Sequence, residues 1–568
     1  MSKESIREKT IKLATPQKTT VDWGFVLQEC RHQRMRLEES SGTKEDWASF
    51  LDLFYQYGTH IASQLSIYCQ RLSARKGSSS VDGKEVIRDT RNALRIAVSF
   101  NSNFEASYRE VVQKNSIDIW TERVLDILSS QRGDAKCRLF AAQLLSNLVT
   151  QNAHTAQKIN KLVSFAPSNS QICSSLQNVV VSFDGDDVAE STSRSFNWVD
   201  MMLCASKSNN REALAAIVAA LHNMFASGVE LSTNSLLVST ILRQLIAANS
   251  IKGLIQGESS EDMTDAATEW IVILISKYCK EGKLPSLYRA ISGESFVMET
   301  CLLEQLVLLH CVRSIVDDPI GQATDRYGRL GSKVDGFGSL ATHLFLSEIL
   351  ASLLARSFVS KQVGSSSKED TSLVDSASST ILYILSETLT ADSEETSQIR
   401  ICMGQNTELI PVACKALGDV YDRITLRNTG RNARETLIDD DEQAQMVGLV
   451  RLLGNLAYGC KDNQDAIRQT AVPVPESVTD ARHGEERGGL HVLLSCTAYS
   501  HACFTLREWA VVAIRNVLEN NTANQELVEQ LEAKQGVQSA VMNDMGIQVN
   551  VEPKSGKVEV RTLEKIIG

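Results

Sequence analysis

Two histidines and two cysteines near the C-terminus are the first residues to consider for metal chemistry. A structural zinc site needs four such ligands that converge in a tetrahedron. Five positions separate the first histidine from the first cysteine in a segment that we predict to be helical, and five residues turn a helix by about 500°, so these two side chains point to different faces. We therefore predict no metal and no cofactor. The four residues are His491, Cys496, His501 and Cys503.

Catalytic motifs are missing from the chain. Gly336, Phe337 and Gly338 begin a predicted helix, but no strand precedes them and the third glycine of a dinucleotide-binding loop is absent. No phosphate-binding Walker loop, H-E-x-x-H or G-x-S-x-G occurs. The 13 cysteines contain no C-x-x-C pair, which is typical of reduced thiols in a helical interior. We expect a protein that is not an enzyme, and keep an enzyme with an unrecognised site as an alternative.

The elements that must position any functional residue are helices. With 568 residues the chain exceeds what one hydrophobic core supports, and its 8 prolines favour long helices with short connections. Apolar residues recur at helical spacing in eleven segments. These segments are Trp47–Arg75, Ile117–Ser130, Cys137–Thr150, Glu212–Ala226, Asn234–Ala248, Ala266–Glu281, Val297–Val316, Leu340–Phe358, Ser379–Thr388, Glu442–Ala457 and Glu508–Asn520.

Polar stretches separate these helices, and we predict that they form exposed loops. Only the tail departs from the helical pattern: Ile547, Val549 and Val551 alternate with polar residues, a turn follows, and Val558 and Val560 alternate again. This alternation predicts a β-hairpin, which we expect to dock on the last helices as a cap. The predicted loops are Ser78–Gly83, Phe183–Ser195, Gly321–Gly338, Gly364–Ser376, Arg427–Asp441 and Pro473–Gly488.

An asparagine recurs near the ends of several predicted helices. Asn455 is followed by Gly459, Asn463 and Ile467 at offsets of four, eight and twelve. The same offsets after Asn516 give Asn520, Asn524 and Val528, and those after Asn147 give Gln151, Thr155 and Ile159. Weaker copies surround Asn223 and Trp270. A recurring unit of this kind indicates a repeat protein.

This pattern resembles the armadillo repeat, whose third helix ends in an apolar-Asn-apolar step followed by Gly, Asn and an aliphatic residue at these offsets. Gly488-Gly489-Leu490 resembles the start of the next repeat, and 61 residues rather than about 40–47 separate Asn455 from Asn516. We assign the excess to a surface insertion in the loop before Gly488. The resemblance implies an all-α, armadillo/HEAT-like α-solenoid with a small C-terminal β-hairpin.

The C-terminal part is similar to the C-terminal domain of the ataxin-10 family, and we expect a fungal member. The resemblance covers about 445–543, a fifth of the chain. The matching residues are Arg451, Gly454, Asn455, Leu456, Asp462, Asn463, Gln464, Glu508, Trp509, Ala510, Ala513, Ile514, Arg515, Asn516, Asn524 and Gln525.

The pattern predicts five regions along the chain. A flexible N-terminus (1–20) precedes N-terminal armadillo-like repeats (21–175), middle helical repeats (196–360) and C-terminal repeats (377–543). A hairpin tail (544–568) ends the chain.

Four residues of the C-terminal repeats form a candidate partner-binding face: Arg451, Asn455, Trp509 and Asn516. Third helices line the concave surface of such arrays, and an asparagine amide there could grip the backbone of a bound peptide. The alternative, which the stacking role of repeat signatures favours, is that the asparagines bond a neighbouring helix and that Trp509 belongs to the core. For the acidic run from Asp439 to Glu442 we favour a helix cap over a docking site, because a helix N-terminus stabilises negative charge.

Together these observations predict a non-enzymatic scaffold that binds other proteins. The family resemblance implies a cytoplasmic adaptor linked to regulation of cytokinesis and to signalling. A net charge of −11 argues against a nucleic-acid partner, no segment is long and apolar enough for membrane insertion, and self-association is left open. The alternative is a nuclear-transport-type receptor for basic peptides, which would use the acidic bulk of the chain and the Asn/Trp face.

Overall fold

The computed structural model describes most of the helical part of the chain. The described residues are 21–39, 44–73, 82–101, 120–130, 134–150, 153–164, 196–207, 210–228, 235–247, 266–293, 296–317, 339–363, 368–406, 408–428, 438–475, 486–497, 503–530, 547–551 and 558–562. The predicted loops Phe183–Ser195 and Gly321–Gly338 lie outside these residues, as does His501.

The chain forms two compact units. The first contains Met1–Phe296 and Leu302–Ile315, and the second contains Val297–Cys301 and Val316–Gly568. The helices of the first unit are α1 (Trp23–Glu39), α2 (Lys44–Ser73), α3 (Asp82–Phe100), α4 (120–129), α5 (Ala135–Val149), α6 (Ala153–Leu162), α7 (Trp198–Lys207), α8 (Arg211–Ala226), α9 (Ser235–Ala247), α10 (Ala266–Lys280), α11 (Leu284–Ser292) and α12 (Leu303–Asp317), whose last two residues belong to the second unit.

The helices of the second unit are α13 (Leu340–Val363), α14 (Lys368–Thr388), α15 (Glu394–Asn406), α16 (Leu409–Arg427), α17 (Asp440–Ala457), α18 (Lys461–Gln469), α19 (Gly489–Cys496), α20 (Phe504–Leu518) and α21 (Thr522–Gln530). Three two-stranded pairs complete the described elements. They are β1 (Val163–Ser164) with β2 (Phe196–Asn197), β3 (Ala471–Pro473) with β4 (Glu486–Gly488), and β5 (Ile547–Val551) with β6 (Val558–Thr562).

In the second unit the helices form three rows. The first helices of successive repeats, α15, α18 and α21, lie in one row; the second helices, α13, α16 and α19, lie in another; and the third helices, α14, α17 and α20, lie in the last. Each second helix also packs on the third helix of its own repeat. This three-helix repetition is the armadillo arrangement, and it confirms the predicted all-α solenoid.

The first unit repeats the same scheme less regularly. Helices α3, α5, α8 and α10 form its third-helix row, and α7, α9 and α11 pack beside one another in a second row. Large side chains fill the space between helices: Trp120 and Trp198 are fully buried, and the Trp120 indole donates to the Gly58 carbonyl at 2.9 Å. Burial of each large apolar side chain contributes about 1.5–3 kcal/mol, so the unit is stabilised by packing rather than by helix propensity.

Glycines permit the closest approach between helices of the second unit. A Cβ on Gly454 of α17 would lie 2.9 Å from the Cβ of Ala513 in α20. A Cβ on Gly489, at the start of α19, would lie 2.6 Å from the Ile467 carbonyl oxygen and 2.8 Å from the Cys414 sulfur. Both contacts are too short for any side chain, which explains the glycines of the L-G-N and Gly-Gly patterns.

The predicted C-terminal hairpin is confirmed. Strands β5 and β6 are antiparallel, with Val549 opposite Val560 and Val551 opposite Val558. The alternation that predicts strands thus places the apolar positions in register. Docking of the hairpin on the last helices stays a prediction.

Two further strand pairs were not predicted. Strand β1 pairs with β2 in parallel, and β3 pairs with β4 antiparallel. Each pair lies between the first and second helices of a repeat, and each joins the two ends of a long insertion, 165–195 in one case and 474–485 in the other. These strands are only two or three residues long, so they carry no periodic signal.

Several helix boundaries differ from the predictions, most of all the starts of α14 and α12. Helix α14 begins at Lys368, inside the predicted loop Gly364–Ser376, because Val374 and Ala377 are buried one turn apart and extend its packed face. Helix α12 begins at Leu303 rather than Val297, where the Gln305 side chain accepts a hydrogen bond from the Leu302 amide at 2.8 Å.

Gly459 provides a test of the repeat geometry. Its φ is 65°, and Asn520, at the equivalent position of the next repeat, has a φ of 55°. Since nothing lies within 4 Å of a Cβ built on Gly459, substitution acts only through backbone strain. We expect Gly459→Ala to lower the free energy of unfolding by about 1 kcal/mol and Gly459→Asn to cost less, as measured from urea unfolding midpoints. Equal losses for alanine and asparagine would contradict this explanation.

Candidate partner-binding face

The candidate face lies on the third-helix row of the second unit, where α17 sits between α14 and α20. Helix α17 begins after Asp439, whose amide donates to the Glu442 carboxylate at 3.3 Å. Arg427, at the end of α16, forms an ion pair with Glu442 and another with Asp439, the latter at 2.9 Å. The acidic run therefore acts as a helix cap anchored to the preceding helix, in agreement with the interpretation favoured from the sequence.

Arg451 connects all three helices of the row. Its guanidinium donates to Glu387 of α14 at 2.7 Å, and its centre lies 4.6 Å from the centroid of the Trp509 ring in α20. The guanidinium thus binds a carboxylate through one N–H and lies over the indole ring as well, a combination that suits arginine better than lysine. With only 16% of the Arg451 side chain exposed, this chain of contacts holds the surface rigid.

Asn455 and Asn516 donate their amides to neighbouring helices. Asn455 Nδ2 bonds the Ser386 carbonyl of α14 at 2.9 Å, and Asn516 Nδ2 bonds the Gly454 carbonyl of α17 at 3.0 Å. Both acceptors lie in the last turn of a helix, where carbonyl groups have no partner within the helix. Each asparagine therefore satisfies the end of the third helix in the preceding repeat.

A second row of amides completes these helix ends. The Asn463 side-chain amide donates to the Leu456 carbonyl at 2.8 Å and to the backbone carbonyl of Arg400 in α15 at 2.9 Å. Asn524, at the same offset in the next repeat, donates to the Val517 carbonyl at 2.8 Å. Both side chains are buried, so a missing bond could not be replaced by water.

Every one of the last four carbonyl groups of α17 has a donor. Gly454 accepts from Asn516, Asn455 from the Tyr458 amide, Leu456 from Asn463, and Ala457 from the Cys460 amide and the Gln464 side chain. This complete satisfaction explains why an amide recurs at fixed offsets in the sequence.

Gln464 is a structural residue whose role the sequence did not reveal. Its Nε2 lies 2.8 Å from the Asn516 carbonyl and 3.1 Å from that of Glu519, so it links α18 to the end of α20. Its Oε1 accepts from Asn521 at 3.1 Å. A signal was present in the sequence, because the Asn-Gln pair recurs as Asn524-Gln525. In both pairs the glutamine donates to the carbonyl seven residues before it, from Gln464 to Ala457 and from Gln525 to Leu518.

The outer side of α20 remains open around Trp509. Val512 lies three residues from Trp509, on nearly the same helical face, and is 43% exposed. Glu508 and Arg515 are exposed beside it. The face therefore combines a partly exposed indole, an apolar residue and charges of both signs.

The first unit carries weaker copies of these contacts. Asn147 donates to the Val98 carbonyl of α3 at 3.4 Å, and Asn223 donates to the Thr150 hydroxyl at 2.9 Å. The His222 and Trp270 rings lie 5.6 Å apart on adjacent helices. The recurrence of the asparagines thus reports the same stacking in both units.

The described residues offer little for catalysis. Burial raises the pKa of the Cys414 and Cys496 thiols to about 12, which leaves them protonated and unreactive at neutral pH. The pKa of His310 falls to about 4, mainly through burial and further through the charge of Arg313. Within the described ranges, no three His, Cys, Asp or Glu side chains come together as metal ligands, and no helix is long and apolar enough to cross a membrane.

Comparison with known proteins identifies the C-terminal region. Residues 477–561 match the family described as the spinocerebellar ataxia type 10 protein domain. This match confirms that the C-terminal region resembles the ataxin-10 family. Among curated relatives, the Dictyostelium discoideum ataxin-10 homolog is 30% identical over 128 residues, covering 22% of this chain and 18% of its own. Ataxin-10 of Xenopus tropicalis is 33% identical over 118 residues (21% and 20%), and the Kluyveromyces lactis ataxin-10 homolog is 35% identical over 106 residues (19% and 17%).

The similarity thus spans about a fifth of the length of these ataxin-10 proteins. Solved structures are more distant. The crystal structure of Uso1-2 is 12% identical with a TM-score of 0.30, covering 83% of this chain and 62% of that one. The SYS-1/POP-1 crystal complex is 9% identical with a TM-score of 0.30, covering 96% and 90%.

The buried amide row can be tested with an isosteric change. Asn463→Asp keeps the size of the side chain, removes both donors and places a carboxylate against two carbonyl oxygens. We expect a loss of roughly 2–4 kcal/mol in the free energy of unfolding, because the unpaired carbonyls cannot reach water. Urea unfolding followed by circular dichroism measures this loss.

The matched control is Gln525→Glu, which removes the same type of donor from an exposed bond to Leu518. Here we expect a loss below about 1 kcal/mol, since water can replace the bond. A loss for Asn463→Asp as small as that of the control would mean that the amides do not hold the helix ends.

Proposed function

We propose that this protein is a non-enzymatic scaffold that binds partner proteins on the third-helix row of its second unit. The observation that supports this best is the fixed Glu387–Arg451–Trp509 chain of contacts beside the exposed Val512. Tryptophan and arginine are enriched among the residues that dominate binding energy at protein interfaces. A rigid surface loses little conformational entropy when a partner binds.

Of the four residues expected to contact a partner, we assign two to recognition and two to stacking. Arg451 and Trp509 reach the surface of the row. Asn455 and Asn516 have their amides bonded to Ser386 and Gly454, and Asn516 is only 9% exposed. The asparagines therefore support the face from below, and its contacts come from Trp509, Val512 and their charged neighbours.

A receptor for basic peptides is less well supported on this face. A basic side chain would stack on the Trp509 ring, but Arg451 of the protein itself already lies there, 4.6 Å from the ring centroid. The amides of Asn455 and Asn516, which would hold the peptide backbone, each use one N–H in a bond to the preceding repeat. An enzymatic role lacks a cleft of reactive groups among the described residues, since the cysteines there are mostly buried.

We place this scaffold in the cytoplasm and propose a role in regulation of cytokinesis and in signalling, as the family resemblance implies. The proposal requires only that partner proteins recognise the face around Trp509. Self-association would use the same kind of contact with a second copy of the chain.

Val512→Glu tests the proposed face without disturbing the core. Val512 is 43% exposed, so the glutamate remains solvated and the melting temperature should not change. A charge buried in the centre of an interface weakens binding, and we expect at least about a tenfold loss of captured partner. Affinity purification of the tagged chain from cells, with quantitative mass spectrometry of bound proteins, measures the loss.

Ile67→Glu is the matched control, because Ile67 is 44% exposed and lies on α2 of the first unit, not on the third-helix row of the second. It should leave the bound proteins unchanged. Identical sets of bound proteins for the wild-type chain and for both variants would count against the face.

A further inference from the structure

A cleft opens on the third-helix row of the first unit. It has a volume of about 530 Å³, within the usual range for ligand sites, and lies between α3, α5 and the start of α8. We call it the basic cleft, because four of its lining side chains are cationic and one is a carboxylate, Glu212. The cationic residues are Arg88, Arg91, Arg95 and Lys136.

Two of these cations are neutralised within the protein. Arg91 makes a bidentate pair with Asp134, at 2.8 and 2.6 Å. Arg88 bonds Glu85 at 3.0 Å and Asp89 at 3.1 Å. These pairs fix the wall formed by α3, and they leave Arg88 and Arg91 with little net charge to offer a ligand.

Arg95 and Lys136 make no ion pair with any described residue. The pKa of Arg95 is lowered by partial burial and, further, by the nearby charge of Arg31. Two arginines that repel each other in a partly desolvated place favour the arrival of an anion. The basic cleft therefore has unbalanced positive charge at Arg95 and Lys136.

Part of the lining of the basic cleft is apolar. The Arg95 guanidinium lies 5.6 Å from the centroid of the Phe140 ring, and Leu139 lines the cleft beside it. Asn210, at the start of α8, donates to the Ala135 carbonyl at 2.6 Å and holds α8 against α5. A ligand here meets cationic side chains together with the apolar side chains of Leu139 and Phe140.

We propose that the basic cleft binds an acidic segment of a partner protein, with carboxylates paired to Arg95 and Lys136 and an apolar side chain on Leu139 and Phe140. A planar carboxylate matches the donor geometry of the arginine, which gives strong bidentate bonds. An extended peptide can present acidic and apolar side chains alternately. The net charge of −11 on the chain opposes a long polyphosphate backbone, which favours a protein segment over a nucleic acid.

This inference goes beyond the proposed function, because it concerns another surface in another unit. It can be tested with the purified chain and a defined peptide, so the result does not depend on whether cellular partners bind the face around Trp509. The probe is a short fluorescein-labelled peptide in which glutamates flank a central leucine, and the readout is fluorescence anisotropy. A peptide with glutamine in place of glutamate serves as the neutral comparison.

The decisive variant is Arg95→Gln with Lys136→Gln, which removes the two unbalanced charges. We expect it to weaken binding of the acidic peptide by about tenfold or more, with an unchanged melting temperature. The control is Lys161→Gln with Lys280→Gln, which changes the net charge by the same amount at two exposed positions outside the cleft. It should bind the peptide as the wild-type chain does.

Three results would overturn the proposal. The first is equal binding of the glutamate and glutamine peptides. The second is equal weakening by the cleft variant and by the control. The third is preferential binding of a single-stranded oligonucleotide that depends on Arg95 and Lys136, which would assign the basic cleft to a nucleic acid. Since Arg95 is partly buried, Lys136→Gln alone provides a second variant if the double substitution lowers the melting temperature.

Discussion

The hydrogen bond from a side-chain amide to the last carbonyl groups of a helix is the interaction on which the repeat array depends. Every helix ends with carbonyls that lack a partner within the helix. In stacked repeats these ends are covered by the next repeat, so water cannot satisfy them. Asn455, Asn463, Gln464, Asn516 and Asn524 supply the missing donors, and each of these bonds to the end of a third helix in the preceding repeat also fixes the register between repeats. Apolar burial provides most of the stability, but it does not depend on the orientation of the groups. The hydrogen bonds of the amides do depend on orientation, so they select one arrangement of the helices.

This use of the asparagines limits what they offer to a partner. The amide nitrogen of Asn455 or Asn516 carries two hydrogens, and one of them is already bonded to a carbonyl of the preceding repeat. In our proposal, recognition in the second unit therefore uses Trp509, Arg451 and Val512. In the first unit the corresponding row presents uncompensated cations instead, at Arg95 and Lys136. The two units thus share one mechanism of stacking and offer chemically different faces.

Insertions enter the repeats where they disturb these bonds least. Both long insertions join the first and second helices of a repeat, and a short strand pair closes each at its base. At the second of them, Arg487 of β4 binds both carboxylate oxygens of Asp422 at 2.7 Å and lies over the Tyr421 ring, so the base is fixed to α16. The third-helix ends and their amides stay intact, which is why the spacing between Asn455 and Asn516 can exceed that of a usual repeat.

The sequence by itself determined the helical repeats, their asparagine markers, the C-terminal hairpin and the resemblance of the C-terminal region to the ataxin-10 family. Each of these rests on a local pattern: apolar periodicity, fixed offsets after an asparagine, or strict alternation. The offsets four and eight have local causes, the left-handed backbone at Gly459 and Asn520 and the bond from Asn463 to Leu456 seven residues before it. Because these causes act between residues close together in the chain, the sequence shows them as fixed spacings.

Only the tertiary structure decided where the amides point and which surfaces remain open. The acceptor of Asn455 lies 69 residues away, that of Asn516 lies 62 away and that of Asn147 lies 49 away. The start of α14 at Lys368 and the grouping of Arg95 with Lys136 likewise depend on packing between helices. The spacing of residues in the sequence does not predict partners at such separations, because the partner of a side chain depends on how whole helices stack.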